Sequence, residues 1–170
     1  MPSSVQILGT GQLVTLSRRL RAAGGPRLRQ NLARRVRRAA EPLQKDLQRA
    51  IRTQPLVGEG RKANGRGGPS PTTRPFRAML AGGVRISVRQ GASPGARVWM
   101  DKSRLEPDAG NVPFQIESGR LRHPVFGNKR RWANQWARPT GWWSKTVQAG
   151  TPRMRAEIER VLGDVRRDLQ

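Results

Sequence analysis

Apolar side chains recur along this chain with two different periods, and the change from one to the other separates helices from strands. Leu13, Leu16 and Leu20 stand at helical spacing within residues 12–23, and Gly24-Gly25-Pro26 ends that segment. A longer helix is predicted from Pro26 or Arg27, because Leu28, Leu32, Val36, Ala39, Leu43, Leu47 and Ile51 return every third or fourth residue. At about 100° per residue these positions form one broad stripe, and Arg27, Arg34, Arg38, Lys45, Arg49 and Arg52 gather within roughly 60° of one another on the opposite side. Pro42 falls inside the pattern, where it lacks a backbone donor and crowds the carbonyl of Arg38 at a cost of about 3 kcal/mol. A kink or break between Ala40 and Pro42 is therefore expected.

The period then shortens to two. Val84, Ile86 and Val88 alternate with Arg85, Ser87 and Arg89, which predicts a half-buried strand. Gly91 to Gly95 reads as a turn, Ala96 to Met100 as its hairpin partner, and Asn111 to Ile116 as a third strand after the turn at Glu106–Gly110. Phe76 to Leu80 fits a short helix or a strand entry equally well. Near the end, Thr151-Pro152 supplies a capping hydroxyl and a proline for a helix start, followed by the stripe Met154, Ile158, Val161, Leu162, Val165 and Leu169. The predicted fold is α+β: a small antiparallel sheet covered on one face by the long basic N-terminal helix and the C-terminal helix. Residues 1–25 read as an arm with a short helix, and residues 26–170 as a single α+β domain. Within that domain residues 54–75 form a long Gly/Pro-rich loop without period, too poor in apolar surface to offset its chain entropy and so flexible.

Composition sharpens the picture in one respect. Thirty-four Lys and Arg against eleven Asp and Glu give a formal charge of +23, so the chain repels itself and seeks a polyanion or an acidic protein surface. Most of the cations are arginine, which binds carboxylate and phosphate through two parallel bonds and stacks on aromatic rings. With 35% hydrophobic residues, 19 Gly and 13 Pro, the core is modest and much of the chain is suited to ordering against a neighbour. No run of about eighteen apolar residues offers a membrane span, and the first residues lack the basic-then-apolar pattern of a secretory signal. No membrane partner is expected.

Catalytic chemistry finds little material. A single histidine and no cysteine leave almost nothing for a zinc site. His123 lies between Arg122 and Pro124 with no adjacent carboxylate to orient it, so it reads as a structural hydrogen-bonding residue. Glu157 and Glu159 point to different sides of a helix, Asp164 and Asp168 stand among arginines, and Gly58-Glu-Gly60-Arg-Lys62 lacks the spacing of a phosphate loop. The expectation is no enzyme, no cofactor and no metal. Non-specific nucleic-acid binding is the rival reading, from Gly65-Arg-Gly-Gly68 and the clustered Arg34, Arg35, Arg37 and Arg38.

Four of the five tryptophans and the only histidine lie between Glu117 and Ser144, in a stretch that runs Glu-Ser-Gly-Arg-Leu-Arg-His-Pro-Val-Phe-Gly-Asn-Lys-Arg-Arg-Trp-Ala-Asn-Gln-Trp136 and continues to Gly141-Trp142-Trp143. Trp and Arg among Pro and Gly point to a shaped docking surface, with a local aromatic cluster closing the core as the plain alternative for each tryptophan. The run from Gly119 to Trp143, set between a basic amphipathic helix and a closing helix, resembles the tail-component family of long-tailed bacteriophages, the tail-completion or head-tail joining proteins. The resemblance implies a structural virion protein at the neck or the top of the tail, assembled in the host cytoplasm as a ring of copies, a hexamer by tail symmetry. A tail terminator or connector stopper of the same region is the neighbouring alternative. Under this reading His123, Pro124, Phe126, Trp132, Trp136, Trp142 and Trp143 form an aromatic corner and part of the subunit or partner contact. Arg34, Arg38, Lys45 and Arg49, with Arg61, Lys62 and Arg66 of the loop, face DNA in the channel or acidic neck and tail proteins.

Overall fold

The computed structural model describes residues 4–8, 14–15, 18, 26–58, 76–89, 95–107, 109–125 and 128–167. In chain order the elements are β1 (Ser4–Leu8), α1 (Pro26–Thr53), β2 (Leu56–Gly58), α2 (Phe76–Gly82), β3 (Val84–Arg89), β4 (Gly95–Met100), α3 (Val112–Ser118), β5 (Arg120–Val125), β6 (Asn128–Ala137) and α4 (Trp142–Arg167). The α+β class read from the sequence is the observed one. Where one domain was drawn from residue 26 onward, the described chain divides into two compact units, and each has its own three-stranded sheet.

The first unit comprises residues 1–46, 84–100 and 147–170. Its sheet has the order β1-β4-β3, antiparallel throughout. Val84 stands opposite Met100 and Ile86 opposite Val98, so these four share one face, and all four are buried. Arg85, Ser87 and Arg97 occupy the other face and are exposed. The predicted hairpin is present, but its third strand comes from Ser4–Leu8. In α1 the predicted stripe is buried as expected, with Leu32, Val36, Ala39 and Leu43 inside this unit. The helix continues through Pro42 without the expected break. Gln44 Nε2 donates to Val84 O at 2.7 Å and ties the helix to the start of β3. Close approach of α1 and α4 is set at Gly150, where a Cβ would come within 2.7 Å of Leu43 Cδ1. Met154, Ile158 and Val165 of α4 are buried, in line with the predicted stripe.

Two expectations fail here for identifiable reasons. The helix starting at Thr151-Pro152 begins much earlier, at Trp142, and runs through Pro152. Thr151 does not cap it, because its hydroxyl donates backward to Val147 O at 2.6 Å. Likewise Asn111–Ile116 is no strand: Val112–Ser118 is helical, with Asn111 before its first turn, Pro113 within that turn and Gly119 after its end. The ambiguous segment from Phe76 is also helical, with Leu80 and Ala81 buried.

The second unit comprises residues 47–83 and 101–146, and its sheet has the order β2-β6-β5. The stretch predicted as a loop over 54–75 opens with ordered chain. Gln54 is buried and donates to Pro139 O at 2.9 Å, and Leu56–Gly58 pairs with β6. Residues 59–75 lie outside the described residues, as does most of the segment predicted as a first helix over 12–23. Among the described residues no helix is long and apolar enough to cross a membrane.

Candidate docking face

The second unit's sheet is built from the tryptophan-rich segment, and a glycine turn directs the chain into it. Gly119 closes α3 in the left-handed region at φ 91°, where its N–H donates to the carbonyls of Gln115 and Ile116. A side chain there would be strained by the backbone and would also meet the Thr140 methyl group. Only glycine fits comfortably, and the chain leaves it as β5.

Antiparallel pairing then decides which side chains share a face. Arg120 stands opposite Trp136, Arg122 opposite Asn134 and Pro124 opposite Trp132, while Val57 reaches Trp136 from the other side. Directly opposite residues project to the same side of a sheet, so these seven form one surface. On the reverse side Leu121 and Ala137 are buried, and α3 contacts both β5 and β6.

The outer surface is ordered despite its exposure. The Arg122 guanidinium lies over the Trp132 ring, 4.8 Å from its centroid, and that of Arg120 lies 5.6 Å from the centroid of Trp136. Each such contact contributes about 0.5–1 kcal/mol at an exposed site. Arg120 Nε and Nη2 both donate to Asn134 Oδ1 at 3.3 Å, and Trp132 Nε1 donates to Lys129 O at 2.8 Å. Both rings thus have a guanidinium beside them before any partner arrives. Trp132 is 47% exposed and Val57 45%, an unusual place for such apolar area. Lys129, Arg130 and Arg131 are exposed at the hairpin end of β6, where Asn128 Oδ1 accepts from Arg130 N at 2.9 Å. No aspartate or glutamate occurs in β2, β5 or β6.

One edge of this sheet is closed. The Arg122 backbone N–H donates to Gln115 Oε1 at 3.0 Å, and Pro124 has no N–H. An incoming strand would find neither donor on β5, so on this side the face is more accessible than the edge.

The remaining tryptophans do different work. Trp142 and Trp143 are buried, meet edge to face at 5.5 Å, and Trp142 Nε1 donates to Pro113 O at 3.1 Å. Both lie in the unit's core, the plain alternative that the sequence left open for each tryptophan, and not on the exposed face. Glu117 caps the start of α4: its carboxylate accepts from Trp143 N at 2.8 Å, Ser144 N at 3.2 Å and Ser144 Oγ at 2.6 Å. A negative charge on these otherwise unpaired N–H groups also suits the helix dipole. His123 is half-buried on the opposite face of the sheet from Trp132, with Nδ1 3.2 Å from Pro124 O. It takes no part in the docking face. Phe126, Arg61, Lys62 and Arg66 lie outside the described residues.

Of the predicted cations on α1, Arg34, Arg38, Lys45 and Arg49 are all exposed. In the first unit an open groove of about 290 Å³ is lined by Arg35, Arg38, Arg153, Glu157 and Asp164 with Pro42. Its carboxylates bond to neighbouring arginines, Glu157 to Arg160 at 2.9 Å and Asp164 to Arg167 at 2.5 Å. Among the described residues no three His, Cys, Asp or Glu side chains are grouped to hold a metal. The face residues missed from sequence are Arg120, Arg122, Asn134 and Val57. Their signal was the period of two in Arg120-x-Arg122-x-Pro124 and Trp132-x-Asn134-x-Trp136. Comparison of the chain with family models, curated proteins and solved structures gives no match.

Proposed function

We propose that the chain is a structural subunit of a tailed bacteriophage virion, placed at the neck or the top of the tail, which completes the tail and joins it to the head as a ring of copies. Its role is docking, not turnover. The observation that carries this reading is the face formed by Trp132, Trp136, Arg120 and Arg122. The segment that resembles the tail-component proteins presents a preorganised Trp–Arg surface with Trp132 nearly half exposed. Trp and Arg contribute most of the energy at protein interfaces, and holding them in place beforehand lowers the entropic cost of association.

A hexamer assembled in the host cytoplasm is the form this reading takes. The exposed Arg34, Arg38, Lys45 and Arg49 of α1 then face DNA in the channel or acidic neighbours. That same exposed cationic row favours the second reading, a basic protein that binds nucleic acid without sequence preference outside any particle.

Complementation separates the two. Removal of the chain from a producing phage is expected to yield separate filled heads and tails by electron microscopy, rejoined by the native chain. Arg34→Glu with Arg38→Glu is expected to fold normally and fail to rejoin them. Normal yield of joined virions without the chain would overturn the reading.

A further inference from the structure

We infer that the Trp132/Trp136 face is built for an acidic surface on a different protein. The inference rests on the docking role proposed above and adds the chemistry of the occupant. Three occupants are conceivable for an exposed Trp–Arg face: a second copy of this chain, a nucleic acid, or a protein bearing carboxylates.

A second copy fits poorly. The face and its hairpin end carry Arg120, Arg122, Lys129, Arg130 and Arg131 with no acidic residue in any of the three strands, and the whole chain has eleven acidic against thirty-four basic residues. Face-to-face pairing would oppose arginines to arginines. In the second unit Glu117 is spent on the start of α4, and Asp101 on Ser103 and Arg104. The only other described acidic residue in this unit is Glu106, and it stands outside the three strands.

Nucleic acid is the stronger competitor, because aromatic rings and cations together bind single strands. The geometry weighs against it. Base stacking needs open indole faces, yet each ring already has a guanidinium over it, at 4.8 Å for Trp132 and 5.6 Å for Trp136. Stacking leaves the in-plane N–H groups of a guanidinium at its rim. Among the described residues the Arg122 side chain makes no hydrogen bond or ion pair. Its donors are therefore uncommitted beside the exposed Trp132 ring, and a planar guanidinium fork is the group that two carboxylate oxygens satisfy. Val57, Pro124 and the exposed part of Trp132 add apolar area that a phosphate backbone does not match and a protein surface does. The occupant is accordingly an acidic patch with apolar side chains between its carboxylates.

The test uses the full-length chain and two probes: a short capped peptide alternating Glu and Leu, and an oligothymidylate of matched charge, each followed by anisotropy at physiological salt. Arg122→Gln and Trp132→Ala are expected to weaken the peptide roughly tenfold or more and to leave the oligothymidylate within about twofold. Arg122→Lys keeps the charge and loses the fork, so the peptide should still weaken several-fold. Cooperative thermal unfolding with near-native midpoints confirms that the variants are folded. The reverse pattern, in which the oligothymidylate alone responds, would keep the docking role and overturn the partner chemistry. Insensitivity of both probes to all three substitutions would overturn the docking role itself. A self-association of the native chain that Trp132→Ala abolishes would assign the face to a second copy and also overturn the inference.

Discussion

Two three-stranded antiparallel sheets in this chain use the same materials to different ends. In the β1-β4-β3 sheet the inner face is apolar throughout its described positions, with Val84, Ile86, Val98 and Met100 buried, and one arginine, Arg97, lies 5.4 Å over Trp99 two residues along the same strand. In the β2-β6-β5 sheet the described inner face mixes Leu121 and Ala137 with His123 and Gln135, and the arginines reach their tryptophans across strands. A sheet that invests its apolar residues inward is stabilised by burial. One that turns Trp132 and Val57 outward forgoes that stabilisation and needs support from elsewhere. For the second unit the support is the Trp142–Trp143 pair and the capped start of α4.

The difference can be broken most severely at those supports. Trp142→Ala removes a buried ring and its bond to Pro113 O, and should cost about 3–5 kcal/mol in denaturant unfolding. Met100→Ala in the first sheet should cost about 2–5 kcal/mol. Native-state hydrogen exchange is expected to distinguish them, with the amides of β5 and β6 accelerated by the first substitution and those of β3 and β4 by the second. Uniform acceleration from either variant would mean that the two units open as one.

Gly119→Ala comes next. Its φ of 91° is unfavourable for a side chain and Thr140 occupies the space, so a loss of about 1–3 kcal/mol is expected. The lesion sits at the entry to β5, so the second sheet should bear it and leave β3 and β4 protected. A neutral result would show that the turn relaxes without disturbing the register of Arg120 and Arg122 against β6.

How much of this was legible in the sequence follows from how local each cause is. The α1 stripe and the β3–β4 alternation were readable because burial on one face imprints a period. The two ends of α3 were also written locally, in Asn111 and Pro113 at the start and Gly119 at the close, although Asn111 to Ile116 reads as a strand from the sequence. Phe114 is in fact 56% exposed. By contrast, the start of α4 rests on Glu117, a cap 26 residues upstream of Trp143, and no local pattern announces a cap from another element. The second sheet was hidden for a related reason. Along β6 exposure runs unbroken from Asn128 to Trp132, so the alternation that betrays a half-buried strand is absent from its first half. The tryptophans were readable as a group but not as two kinds. Trp142 and Trp143 are core because they begin a helix packed under Pro113, and Trp132 is surface because it lies opposite Pro124 on an outer face.

Glu117→Gln probes that long-range cap with a smaller effect. The amide still accepts from one N–H but loses the charge that favours a helix start, so about 1 kcal/mol of stability should be lost. High salt should narrow the gap between native and variant chains, since part of the effect is an interaction with the helix dipole.

Trp132→Ala should change stability least, and for that reason it is the sharpest probe of the comparison. Truncating a buried tryptophan removes several kcal/mol, as expected for Trp142, whereas Trp132 has 47% of its surface in water and leans on Arg122 and the carbonyl of Lys129. Losing one exposed cation–π contact and one indole hydrogen bond should shift unfolding by about 1 kcal/mol or less. If the loss instead approached that of Trp142→Ala, the ring would be serving the fold, and the outward placement would need no partner to explain it. A small loss leaves the ring's area and fixed orientation without a folding purpose. Docking is then the remaining use for an indole anchored at both its nitrogen and its face.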